Sequence, residues 1–136
     1  MKPQTVTKAN RAANFLGWFS IGLGSLEAVA PGALGRTLGL GQMRLLRLYG
    51  LRELGAGVSL LTQPNPVPWL WARVAGDALD IVTLVGALTP GNSRRRNAGV
   101  ALASVLAITG LDLWTAVQLT RLRTESRHPN VQKVEG

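Results

Sequence analysis

The chain has no cysteine, a single histidine, one tyrosine and only seven acidic residues in 136. Without cysteine there are no disulfides, no thiolate metal sites and no thiol redox chemistry. The one histidine, His128, falls in a basic C-terminal segment, which leaves no imidazole for zinc or haem among the apolar segments. Ser59 and Ser104 therefore lack a histidine partner, and Ser-His nucleophilic chemistry is excluded. The glycine-rich run GRTLGLG at 35–41 lacks the lysine and the strand context of a phosphate loop and reads as a connection. No long polar stretch divides the sequence, so one domain is expected, with no catalytic residues, no metal and no cofactor.

The few acids that are present stand in unusual places. Glu27, Glu53, Asp77, Asp80 and Asp112 are embedded in apolar stretches, whereas Glu125 and Glu135 are not. A water-soluble helical domain mixes both signs on its surface and keeps carboxylates out of its interior. A soluble four-helix bundle built from this chain would have little more than Glu27 and Asp112 to solvate the outer faces of its first and last helices. The pattern instead reads as a small integral membrane protein with a polar centre, and intramembrane ionisable groups are costly enough to count as functional candidates. The mean hydropathy of +0.17 hides this, because charged ends dilute the apolar segments.

Lys and Arg outnumber the acids fifteen to seven, giving a net charge of +8. They come in short groups beside apolar segments: Lys2, Lys8 and Arg11, then Arg94, Arg95 and Arg96, then Arg121, Arg123 and Arg127. That is the flanking pattern of membrane segments and not a basic stripe with interleaved aromatics, so lipid headgroups, not nucleic acid, are the expected partner. Arg94, Arg95 and Arg96 are assigned to headgroup or partner contact.

Four apolar segments are predicted to be helices, at 15–30, 45–61, 69–88 and 98–119. The first ends at Pro31-Gly32. Its basic leader and the small residues Ala28 to Ala30 imitate a signal peptide, but Pro31 directly after that site disfavours cleavage and an uncleaved helix is expected. The stretch PGALGRTLGLGQ that follows suits a short interfacial helix or loop. Pro64, Pro66 and Pro68 stop the second segment in a tight turn. Trp69 and Trp71 open the third as an aromatic belt, and Tyr49 is expected at an interface too. The expected fold is all-α, an up-down bundle of four transmembrane helices over 15–119, between a basic N-terminal tail at 1–14 and a basic, frayed C-terminal tail at 120–136.

Antiparallel helices allow depth to be counted from the end that carries both termini. At 1.5 Å per residue the embedded charges lie between about 6 Å (Arg73) and about 18 Å (Glu27) from that end, in one slab. Arg52, Glu53, Arg73, Asp77, Asp80, Glu27 and Asp112 are therefore predicted to form one buried polar cluster. Arg73, Asp77 and Asp80 share a helix face, with Arg73 and Asp77 expected to pair. Arg52 and Glu53 diverge by about 100°, so at most one of them aims straight at the bundle axis. Five carboxylates against two guanidiniums leave an excess of negative charge that protons, a cation, water or a ligand must balance.

The pieces LGWFSIGLG, LLRLYGLRELGAGVSLL and WARVAGDALDIVTL resemble the four-helix membrane segment at the N-terminus of some bacterial proteins named cyclase/dehydrase, and are similar to small DoxX-like membrane proteins. The most specific parts are Gly50-Leu51-Arg52-Glu53 and Arg73 to Asp80. In the cyclase/dehydrase proteins a START-like domain follows the membrane part. This chain ends after its fourth segment, so the enzymatic name is not expected to carry over. The resemblance implies a four-helix membrane module and supplies no substrate.

The expectation is a non-enzymatic anchor or accessory subunit of a larger assembly in a bacterial inner membrane, in contact with lipids and other membrane subunits. Its termini are placed in the cytoplasm, on a near-balanced distribution of basic residues. The alternative is an autonomous transporter or binding protein for a proton, small cation or amphiphile that uses the polar cluster. A closed, fully paired network favours the first, and an accessible cavity at the cluster favours the second.

Overall fold

The computed structural model describes residues 3–127. His128, Glu135 and the rest of the expected C-terminal tail beyond 127 lie outside the described residues. The protein is all-α: α1 is Pro3–Val29, α2 is Pro31–Leu38, α3 is Met43–Thr62, α4 is Val67–Gly86 and α5 is Arg95–Arg127. No strand occurs among the described residues. The long helices α1, α3, α4 and α5 alternate in direction, each packed on the next and α5 packed back on α1, with the short α2 across one end.

Each long helix buries a narrow seam. On α1 it is Ala9, Ala13, Leu16, Ser20, Gly24 and Glu27, and on α3 Leu46, Gly50, Glu53, Gly57 and Leu60. Steps of three and four residues put these positions on one side of a 3.6-residue helix. What lies off the seam is exposed although much of it is apolar: Phe15, Trp18, Leu48, Leu51, Leu79, Val82, Val100 and Leu106 all face outward.

The helices α1 and α3 approach closely enough for backbone to meet backbone. A Cβ added at Gly24 would stand 2.6 Å from the carbonyl oxygen of Gly50, and one at Gly57 would stand 2.7 Å from that of Gly17. Only glycine permits such an approach at two levels. Between the two levels, Ser20 Oγ lies 2.7 Å from the backbone carbonyl oxygen of Glu53 and beside its carboxylate, to either of which it donates.

At the end of the bundle that carries the N-terminus of α1 and the C-terminus of α5, the core is apolar and small: Ala9, Ala13, Leu16, Leu60, Leu70, Ala116 and Leu119. The described parts of the expected tails at 1–14 and 120–136, residues 3–14 and 120–127, are helical. Residues 3–14 are the first turns of α1 and supply Ala9 and Ala13 to the core. Their outward face of Gln4, Lys8 and Arg11 concealed the same seam. Residues 120–127 extend α5, where Thr120 accepts a hydrogen bond from Trp71 Nε1 (3.1 Å) and Arg123 donates to the carbonyl of Pro64 (3.0 Å).

At the opposite end α2 starts on Pro31, whose missing N–H costs nothing in a first helical turn. It stops at Gly39, in the left-handed region at φ 72°. Asn92, in the α4–α5 connection, donates to the carbonyls of Leu38 (3.1 Å) and Ala87 (2.7 Å), and Asn97 donates to that of Thr37 (2.8 Å). A side chain at Gly39 would collide with the Asn92 carboxamide.

By length and mean hydropathy, α5 alone among the described helices is apolar enough to cross a membrane by itself. The expectation of four such segments is reduced accordingly. Arg44, Arg47, Arg52 and Glu53 interrupt α3, and Arg73, Asp77 and Asp80 interrupt α4.

Candidate functional site: a charged cluster beside an apolar cavity

Helix periodicity brings the seam charges together. Glu53 and Arg73 occupy seam positions of α3 and α4, and Asp112 occupies one of α5. The Arg73 guanidinium grips Asp112 as a fork, Nε to Oδ1 at 2.8 Å and Nη2 to Oδ2 at 3.1 Å, and its remaining Nη1 reaches Glu53 Oε2 at 3.0 Å. A bidentate guanidinium–carboxylate pair is the strongest common form of such contact. Arg73 is the largest of the fully buried side chains, and Asp112 is completely buried beside it.

Arg52, one residue from Glu53, leaves the helix in another direction and stays partly exposed. Its Nη2 joins Glu53 Oε1 at 2.9 Å to Asp80 at 3.2 Å. Gly76 makes this crossing possible, because a Cβ there would overlap the Arg52 guanidinium. A line of alternating charge results: Asp112, Arg73, Glu53, Arg52, Asp80. Arg52 also lies over the Tyr49 ring, 5.3 Å from its centroid, in cation–π contact.

The expected Arg73–Asp77 pair is not found among the described residues. Arg73 precedes Asp77, the weaker order for an i,i+4 pair, and carboxylates from two neighbouring helices already use all its nitrogens. Asp77 is 3% exposed and its Oδ2 has no hydrogen-bond partner among the described residues. Glu27, 7% exposed near the end of α1, is in the same condition at Oε2. Arg52 Nε and Nη1 also lack partners, but they lie over α4 beside Gly76.

Over the cluster stands a cavity of about 200 Å³. Glu27, Glu53, Asp77 and Asp80 form its polar side together with Arg73, Tyr49, Thr83 and Ser104. Phe19 and Leu23 of α1, Leu34 and Leu38 of α2, and Val105 and Ile108 of α5 are among its apolar walls. Tyr49 lines this cavity. Its hydroxyl is 2.8 Å from Thr83 Oγ1, and since Thr83 gives its proton to the Leu79 carbonyl (2.9 Å), Tyr49 is the donor between them.

Carboxylate oxygens of Glu53, Asp77 and Asp80 lie within 4.8 Å of one another, close enough to face one ion. The fit to a resident metal is poor. A hard divalent cation takes about six or more oxygens, and Glu53 and Asp80 already receive hydrogens from the two arginines. Arg94, Arg95 and Arg96 are remote from the cluster and exposed; Arg94 shares a shallow surface hollow with Arg36 and Thr37 of α2.

Several contributors carry little signal in sequence. The places of Ser20 beside Glu53, of Gly57 against Gly17 and of Gly76 as room for Arg52 were not apparent. Pairing of seams across helices, which a single chain does not display, gives them their roles. Comparison with protein-family models, curated proteins and solved structures gave no match.

Proposed function

We propose that this is a small integral membrane protein whose four long helices cross the bilayer and whose cavity binds a small amphiphilic molecule, with the charged cluster as its polar contact. The membrane part of this reading is supported by an inverted distribution of side chains. Arg73, Asp112, Thr115 and Ser20 are among the largest fully buried side chains, while four tryptophans and many Leu and Val residues are exposed. Glu27 and Asp112, the acids a soluble bundle needs outside, are buried. Only 17% of the most apolar stretch of α5 is buried, the reverse of a soluble core helix. Exposed apolar surface on this scale is a site of protein or membrane contact.

The cavity carries the binding part. A purely structural network of charges packs shut with its polar atoms paired, and this one borders an apolar space while Glu27 and Asp77 keep unpartnered oxygens. A concave apolar site with a few convergent polar groups is the form of a small-molecule site.

The reading as an anchor or accessory subunit draws on α5, where Ala103, Ala107 and Gly110 form an exposed strip of small residues suited to a neighbouring helix. One experiment separates the two. The protein is purified from native membranes in mild detergent, and both the co-purifying proteins and the organic extract are identified by mass spectrometry. A small molecule near one per chain, lost from an Ile108→Trp variant that fills the cavity, supports binding. A stoichiometric protein partner with no such molecule, unaffected by Ile108→Trp, supports the subunit.

A further inference from the structure

We propose that the ligand of this cavity is a compact organic ammonium ion, a primary or secondary amine in its protonated form on a small apolar body; the inference rests on the cavity being a binding site. The polar side of the cavity has four carboxylates and one guanidinium. That guanidinium, Arg73, has each of its three nitrogens on a carboxylate, and Arg52 is not in the lining. Two carboxyl oxygens of lining residues, Glu27 Oε2 and Asp77 Oδ2, have no hydrogen-bond partner among the described residues, on side chains more than nine-tenths buried. What the lining residues lack is a positive group not already engaged by a carboxylate.

The walls then decide between classes of cation. Phe19, Leu23, Leu34, Leu38 and Ile108 offer nothing to the water shell of an inorganic ion, whereas an alkyl or aryl group fits them. The volume of about 200 Å³ exceeds the roughly 150 Å³ that accommodates benzene in a dry protein cavity, so the body is of the order of one ring.

The test is titration calorimetry on the full chain in phosphatidylcholine nanodiscs, with empty discs as the blank, comparing benzylamine with its neutral counterpart benzyl alcohol. Saturable binding of benzylamine at one site per chain, at least tenfold tighter than the alcohol, is expected. In Asp77→Asn the preference should fall below threefold. Glu27→Gln serves if Asp77→Asn does not fold, and the wild-type ratio needs no variant at all. Equal binding of the two compounds overturns the ammonium inference and leaves the cavity reading standing. Displacement of benzylamine by magnesium at comparable concentration also overturns it, in favour of an inorganic cation. If neither compound binds the folded protein and Ile108→Trp behaves as wild type, the cavity reading itself fails.

Discussion

Glu53 stands between two guanidiniums, its Oε1 2.9 Å from Arg52 and its Oε2 3.0 Å from Arg73. Among the described residues it is the one carboxylate that both arginines share, and Ser20 fixes it from α1. Its replacement by glutamine leaves two positive groups short of their common counter-charge. Loss of one member of a buried ion pair costs about 3–5 kcal/mol, so Glu53→Gln should lower thermal stability in detergent by that order. Asp80→Asn, where the partner Arg52 is partly exposed, should cost less. Equal losses for the two variants count against Glu53 as the centre of the network.

Arg73 and Asp112 join α4 to α5 through a fork. Arg73→Leu and Asp112→Leu should each cost about 3–5 kcal/mol, and the double variant, with no unpaired charge, should recover part of this. A double-variant cycle read from unfolding midpoints checks it. Simple addition of the two losses means that the pair is not coupled.

The glycines divide by surroundings. Gly24→Ala and Gly50→Ala drive a methyl group into the backbone of the facing helix, and overpacking of this kind costs about 1–3 kcal/mol. Gly22 and Gly55 face open space, and alanine there should hold stability or raise it by up to about 1 kcal/mol through helix propensity. Thermal unfolding of the four single variants orders them, and a reversed order rejects the α1–α3 contact.

Since the chain has no cysteine, single cysteines can be introduced on a silent background. In intact membranes, an impermeant maleimide should label positions 10 and 65 from one side and positions 42 and 93 from the other. Ser93 replaces its neighbour Asn92 for this purpose, because Asn92 holds α2. Labelling of positions 65 and 93 from the same side rejects the crossing of α4.

The sequence displayed the helices well, because proline turns and apolar runs mark their interiors. It displayed their ends poorly: Lys8 and Arg11 on one face of α1 hid Ala9 and Ala13 on the other. The cluster was legible by depth, since counting residues along antiparallel helices puts Glu27, Glu53, Asp77 and Asp112 in one layer. Partnership was not. An i,i+4 rule sees only one helix and nominated Asp77 for Arg73, whereas the fork from Asp112 depends on how α4 and α5 rotate against each other. The cavity was likewise invisible, because its walls come from five helices.

The helix α2 is attached in a way that separates its hold from its content. Asn92 and Asn97 grasp the backbone carbonyls of Leu38 and Thr37, and not their side chains. The latch therefore reads the course of the main chain and is indifferent to which residues ride on it, provided that Gly39 keeps its turn. Leu34 and Leu38, which face the cavity from this helix, are free to change size or shape without loosening it. Related chains with different side chains at these two positions and the same asparagines would then be expected to differ in what they admit while keeping one architecture, with α2 serving as an exchangeable wall.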